Sequence, residues 1–226
     1  MDKERFVSQT ASRTDDNVVT GAPQLSATAN GLESVYEPIR AEMSSVESIL
    51  RRELTNEVPF VDELLKHSWL LGGKRIRPAM VLAAYKLYKD DYSPEVMKIA
   101  QAVEMFHNFT LLHDDIMDNS PLRRGQETVH IKWDNATAIL SGDLLQIEVY
   151  EKLADVGNVE ILKLFNTMAR ELCEGQMNDM QFEQMHLVSN EAYLEMIRQK
   201  TAVLLGFSLQ AGAILGGANK EEGEKL

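Results

Sequence analysis

The stretch SPEVMKIAQAVEMFHNFTLLHDDIMDNSP, Ser93 to Pro121, decides how this chain is read. Ser93 followed by Pro94 is a helix start: a side-chain cap, then a proline at the first helical position. No breaker follows until Pro121, so the spacing predicts one long helix running into the acidic run Asp114, Asp115 and Asp118.

Working outward, the same logic repeats. Leu32, Val35, Ile39, Met43, Val46, Ile49 and Leu50 recur at three- and four-residue spacing, a helical stripe. A second helix is expected from Pro59 to Gly72–Gly73, and a third over RPAMVLAAYKLYKDD. Further helices are expected over NATAILSGDLLQIEVYEKLADV up to Gly157, and over NVEILKLFNTMARELCEGQMNDMQFEQ. A last one is expected from Ser189–Asn190 to Gly216–Gly217. Alternating strand patterns and Asn-Gly turns are scarce. The expectation is an all-α single domain of long antiparallel helices joined by short loops. Residues 1–30 lack periodicity and are expected to form a disordered tail, leaving 31–226 as the domain. GGANKEEGEKL, at the end, reads as a turn and the first residues of a further helix.

Composition bounds the function. Over 226 residues, 44% are hydrophobic and the net charge is −12, which argues against a general nucleic-acid binder. One cysteine, Cys173, excludes an internal disulfide and fits a reducing compartment. No apolar run reaches the ~18–20 residues of a membrane helix, and the N-terminus has no apolar signal core. A cytoplasmic protein without stable membrane insertion is expected.

Against that acidic background, local chemistry stands out. Asp114 and Asp118 are four apart, so a helix puts them on one face about 6 Å along the axis. They repel unless a cation bridges them, and oxygen-only ligands suit Mg²⁺. A solvated helix end is the plainer alternative, but acidic groups at a helix C-terminus oppose its dipole. Two basic segments accompany them: Arg123-Arg124-Gly125, and GGKRIRP at Gly72–Pro78. Arginine's planar fork suits diphosphate oxygens. Carboxylates holding Mg²⁺, Mg²⁺ holding one diphosphate and basic residues holding a second is a consistent reading.

The pattern Leu111-Leu112-His113-Asp114-Asp115-Ile116-Met117-Asp118, then NSPL, then Arg123-Arg124-Gly125, resembles the first aspartate-rich motif of the trans-isoprenyl diphosphate synthases, or polyprenyl synthetases. GGKRIRP, CEGQMND (Cys173–Asp179) and RQKTAVLL (with Lys200-Thr201) resemble further motifs of that family, in its order. The resemblance implies an isoprenoid-synthase fold around a central cavity. It implies Mg²⁺ on Asp114 and Asp118, with Asp115 behind them. Lys74, Arg77, His107 and Arg124 would bind isopentenyl diphosphate, and Arg123 an allylic diphosphate. Lys200, Thr201 and Gln176 would form the catalytic set, with Asp179 facing the cavity beside Gln176. The reaction implied is a head-to-tail condensation in a homodimer, giving a farnesyl or geranylgeranyl product.

Phe109, five residues before Asp114, would be the floor of the prenyl cavity, with the smaller Thr110 beside it. In the family an aromatic there goes with short products, so Phe109→Ala is expected to lengthen the product. The sequence departs from the family in having no second Asp-Asp-x-x-Asp. That raises the expectation of a C-terminally truncated chain with its last helices missing and with weak or no turnover. Competing readings are a non-catalytic or regulatory partner subunit and a terpene cyclase. A cyclase would not need two basic segments for a second diphosphate. Partner chains usually lose the aspartate motif that is kept here.

Overall fold

The computed structural model describes residues 33–225 apart from 35, 54–56 and 70–72. The expected tail, Leu32, Val35 and the Gly72 of the second helix stop lie outside those residues.

The helices follow their caps. A 3-10 turn, Glu37–Ile39, leads into α1 (Arg40–Glu53). It is followed by α2 (Pro59–Trp69) and α3 (Ile76–Lys86). Helix α4 spans Pro94–Met117, and the Ser93 hydroxyl accepts from the Val96 N–H as expected. After it come strands β1 (Leu122–Arg123) and β2 (Gln126–Glu127), then a short α5 (Val129–Lys132). Helix α6 (Asn135–Val156) is capped by Asp134 at its start and by Gly157, in the left-handed region, at its end. Asn158 then caps α7 (Val159–Phe182), so a two-residue joint links two long helices. Helix α8 (Asn190–Ile197), the π-turn Arg198–Ala202, α9 (Val203–Gly216) and α10 (Lys220–Glu224) complete the described chain.

Helix α4 is the axis. Val96, Ile99, Ala100, Val103 and Met105 are fully buried, and so are the polar Gln101, Glu104 and Asn108. Buried residues on every side, apolar and polar alike, are what a helix at the centre of the bundle shows. α6 packs along one side, with α3 and α9 on others. α3 and α9 cross almost backbone to backbone: a Cβ on Gly212 would lie 2.2 Å from the Val81 carbonyl oxygen. Gly212 and Gly216, four apart on α9, form this close-packed face; a Cβ on Gly216 would lie 3.0 Å from the Tyr85 carbonyl oxygen. Among the described residues, no helix is long and apolar enough to cross a membrane.

Two features correct the sequence reading. First, the arginine pair sits on a hairpin. Leu122 pairs with Glu127 and Arg123 with Gln126, and Arg124 (φ 52°) and Gly125 (φ 82°) make the turn. Two successive positive φ values match the right-handed twist of the flanking strands, as a type I′ turn requires. Second, the helix expected from Ser189 to Gly216 is interrupted. At its middle the Val203 N–H reaches back to the Arg198 carbonyl, five residues away, making a π-turn at RQKTA.

Candidate active site

The end of α4, the RQKTA turn, α7 and the start of α3 enclose a cavity of 580 Å³. Its wall is mostly apolar, with Leu111, Met117, Leu172, Met177 and Leu204 among the lining side chains. Two polar groups line it, an acidic and a basic one, about two turns apart along α4: Asp114 with Lys200, and His107 with Arg77; Gln176 and Thr201 also line it.

In the acidic group, Asp114 is contacted by two cations. Lys200 Nζ lies 3.5 Å from one oxygen and Arg123 Nη2 3.5 Å from the other. Lys200 also pairs with Asp179 of α7 at 2.5 Å, so it spans two helices. Gly175 makes this possible: a Cβ there would sit 2.5 Å from the Lys200 backbone nitrogen. The π-turn thus lies against α7 at a point where only glycine leaves room.

Asp118 is raised above the usual carboxylate range by burial and by its neighbour Asp114. Asp115 faces away and is buried; both its oxygens accept from Arg123 Nε at 2.8 Å. Arg123, expected to hold a diphosphate, is in this structure engaged by Asp115 and Asp114.

The all-oxygen donor set of Asp114 and Asp118, two carboxylates on one helical face, fits a hard divalent cation. Lys200 and Arg123 supply positive charge beside Asp114. Among the described residues no group of three or more His, Cys, Asp or Glu side chains converges.

In the basic group, Arg77 Nε is buried with no hydrogen-bond partner in the protein. Burial disfavours its charge, and the nearby Glu104 opposes that. An orphaned guanidinium donor facing a cavity is poised for an anion. His107 is pushed down to about 3, first by burial and then by Arg77, Arg124, Arg123 and Arg75. Arg124 extends over Gly73: its Nη1 lies 2.9 Å from where a Cβ would be.

Lys74 is placed differently from Arg77. It lines a separate open depression with Arg40, Arg51 and Arg75, and its carbonyl accepts from the Tyr36 hydroxyl.

The residue that sequence reasoning under-weighted is Arg75. At φ 49° it caps α3 without a side-chain cap of its own. It reaches Glu47 at 3.0 Å and the buried Glu104 at 2.6 Å. The available signal was Glu104 itself, a carboxylate inside the apolar run AVEMF that needs a cationic partner.

The His107 environment gives a pH prediction. An unfolded chain protonates this histidine near 6.5, whereas the folded one resists until about 3. Between those values the unfolded state binds the extra proton, so stability falls as pH falls and is fully present above 6.5. The His107 ring resonance should stay neutral across about pH 5–8, and added pyrophosphate should raise its pKa by offsetting the arginines. A ring titrating at the ordinary histidine value without ligand would refute this.

An apolar helical cavity carrying these polar groups has clear relatives. Residues 58–226 match the family model for polyprenyl synthetase, and the chain belongs to that family. It is 46% identical over 165 residues to a short chain isoprenyl diphosphate synthase of Methanocaldococcus jannaschii, covering 71% of this chain and 50% of that protein. It is 41% identical over 203 residues to a geranylgeranyl diphosphate synthase of Methanosarcina mazei, covering 86% and 62%. Among solved structures it superposes with TM-score 0.80 and 30% identity on a polyprenyl synthase from Caulobacter crescentus complexed with calcium and isoprenyl diphosphate, covering 85% of this chain and 58% of that one. The chain thus spans about half to three-fifths of the length of these relatives.

Proposed function

We propose that the protein takes part in the Mg²⁺-dependent head-to-tail condensation of an allylic diphosphate with isopentenyl diphosphate, giving a short-chain product, geranylgeranyl ahead of farnesyl. The observation that carries this reading is one apolar cavity lined by Asp114 with Lys200 beside it and by Arg77 with His107. The relatives' names support the substrate class.

Asp114 and Asp118 would hold Mg²⁺, which when bound supplies Lewis-acid stabilisation of charge developing on the allylic diphosphate. Lys200, tied to Asp179 and lying beside Asp114, places a positive charge where the leaving diphosphate gathers negative charge. Thr201 and Gln176, both on the cavity wall, offer polar contacts to the same group. Arg77, His107 and Arg124 form the second anion site; neutral His107 can donate a hydrogen bond there without adding charge.

The allylic C–O bond breaks and its electron pair leaves with the diphosphate. The isopentenyl double bond then attacks that carbon, and a proton passes to the released pyrophosphate. The apolar wall keeps water from the cationic carbon.

The test is calorimetric binding of an allylic diphosphate to the chain with and without Mg²⁺, with chromatography of any prenyl product formed when isopentenyl diphosphate is added. Asp114→Asn should lower Mg²⁺-dependent binding or turnover by about 10²-fold or more. Equal allylic diphosphate binding with and without Mg²⁺, or in Asp114→Asn, would overturn the reading.

A second copy of the chain is the proposed partner. α2 and α6 leave Phe60, Leu140, Leu144 and Ile147 exposed around a 350 Å³ depression. Clusters of exposed apolar side chains mark interfaces. Sedimentation at micromolar concentration should give twice the chain mass; a single-chain mass would exclude this.

A further inference from the structure

Phe109 and His113 both line the cavity, and both lean on α6 where it has no side chain. A Cβ on Gly142 would lie 2.5 Å from His113 Nε2, 2.8 Å from its Cδ2 and 3.3 Å from Phe109 Cδ2. The two rings pack edge to face, with centroids 4.7 Å apart. His113 Nε2–H donates to the Ile139 carbonyl of α6 at 3.2 Å, and Asp143 lies 3.8 Å from the same nitrogen. A carbonyl only accepts, so this bond fixes the tautomer. Behind Phe109 stands Phe106, at 5.4 Å, packed on the buried Phe165 at 5.0 Å. The Phe109 ring is therefore flanked by aromatic neighbours on α4 and α7, and it lies close to α6 at Gly142, where there is no side chain.

We infer that Gly142 is a specificity-determining position: the notch it leaves in α6 seats the Phe109 and His113 rings, and its size sets the depth of the prenyl cavity. This rests on the proposed prenyl-diphosphate function. α6 contributes no residue to the cavity lining, and the two rings stand between α6 and the cavity. Adding carbon at position 142 pushes both rings away from α6, towards the space a prenyl tail would fill. Removing the Phe109 ring does the reverse and opens the cavity to the notch. Depth is thus a property of the pair of positions, one on each helix.

The experiment measures binding of pyrophosphate and of C5, C10, C15 and C20 prenyl diphosphates to the chain with Mg²⁺, without a second substrate. Gly142→Ala should weaken C15 and C20 binding by about tenfold relative to C5 and pyrophosphate, for about 1.4 kcal/mol per decade. Phe109→Ala should strengthen C20 relative to C10. Phe109→Ala/Gly142→Leu should restore the short preference, because the new side chain fills the volume the ring vacated. Circular dichroism and melting of each variant show that it folds, and the double variant tests the pairing even if Gly142→Ala is destabilised. An unchanged length preference in Gly142→Ala, or no restoration in the double variant, would overturn the inference. If the wild-type chain binds none of the prenyl diphosphates, the functional reading itself fails, which is a separate result.

Discussion

Replacing Arg75 with methionine will cost about 3–5 kcal/mol of unfolding free energy, the penalty for leaving a buried carboxylate without its partner. Glu104 is 3% exposed and sits on the central helix, so water cannot replace the lost guanidinium. Arg75 Nη1 is its 2.6 Å partner, and Arg75 Nε also holds Glu47 of α1. The variant thus loosens three elements at once: the loop before α3, α1 and α4. Methionine keeps most of the aliphatic stem, which separates loss of charge from loss of packing. Arg77 and Arg124 also feel the Glu104 charge, and in the variant they should be drawn towards it. The anion site would then weaken together with the fold. Chemical denaturation of both proteins reads the first effect, and pyrophosphate binding to the folded fraction reads the second. A loss below about 1 kcal/mol would show that Arg75 is a surface-type pair after all.

Gly175→Ala should do the opposite: little to stability, much to the site. Alanine in place of glycine within α7 favours the helix by up to about 1 kcal/mol. The new methyl would lie 2.5 Å from Lys200 N and 2.8 Å from the Gln199 carbonyl carbon, both backbone atoms. Overpacking of that kind costs about 1–3 kcal/mol, so the net change in stability is small. The clash can be relieved only by moving the RQKTA turn, and Lys200 moves with it. A displacement near 1 Å at a charge-placing residue is enough for about a 10²-fold loss in rate or in Mg²⁺-dependent diphosphate binding. Gly206→Ala is the control, since a Cβ there meets nothing within 4 Å. Gly175→Ala protein that melts normally and binds ligand normally would show that the turn does not depend on this contact.

These residues also show what could be read from the chain. Helix α4 was legible because Ser93-Pro94 and Pro121 bound it and nothing between them breaks it. The carboxylate spacing was legible for the same reason, since period alone places Asp114 and Asp118 on one face. The π-turn was not. Every residue from Arg198 to Ala202 is an acceptable helix former, and the interruption lies against Gly175, which is distant in sequence. The hairpin was missed because Arg124 is not a residue type that turn preferences flag at φ 52°. In GKRIR, composition could not say which cation turns inward. That choice follows from the buried Glu104, which takes Arg75, while Arg77 reaches the cavity and Lys74 faces another depression.

The hairpin at Leu122–Glu127 has a further consequence. Arg123 and Arg124 are neighbours in sequence, yet one reaches back to the carboxylates of α4 and the other across the loop before α3. Arg123 is the last residue of its strand and Arg124 the first of the turn, where the positive φ sends its side chain away from the strand's direction. Six residues therefore act as a spacer with two differently aimed ends, fixing the separation between the acidic and basic poles. A single-residue insertion in the turn would move Arg124 and leave Arg123 on the carboxylates of α4. It would re-aim one end of the link while the other end, and every helix, stays in place.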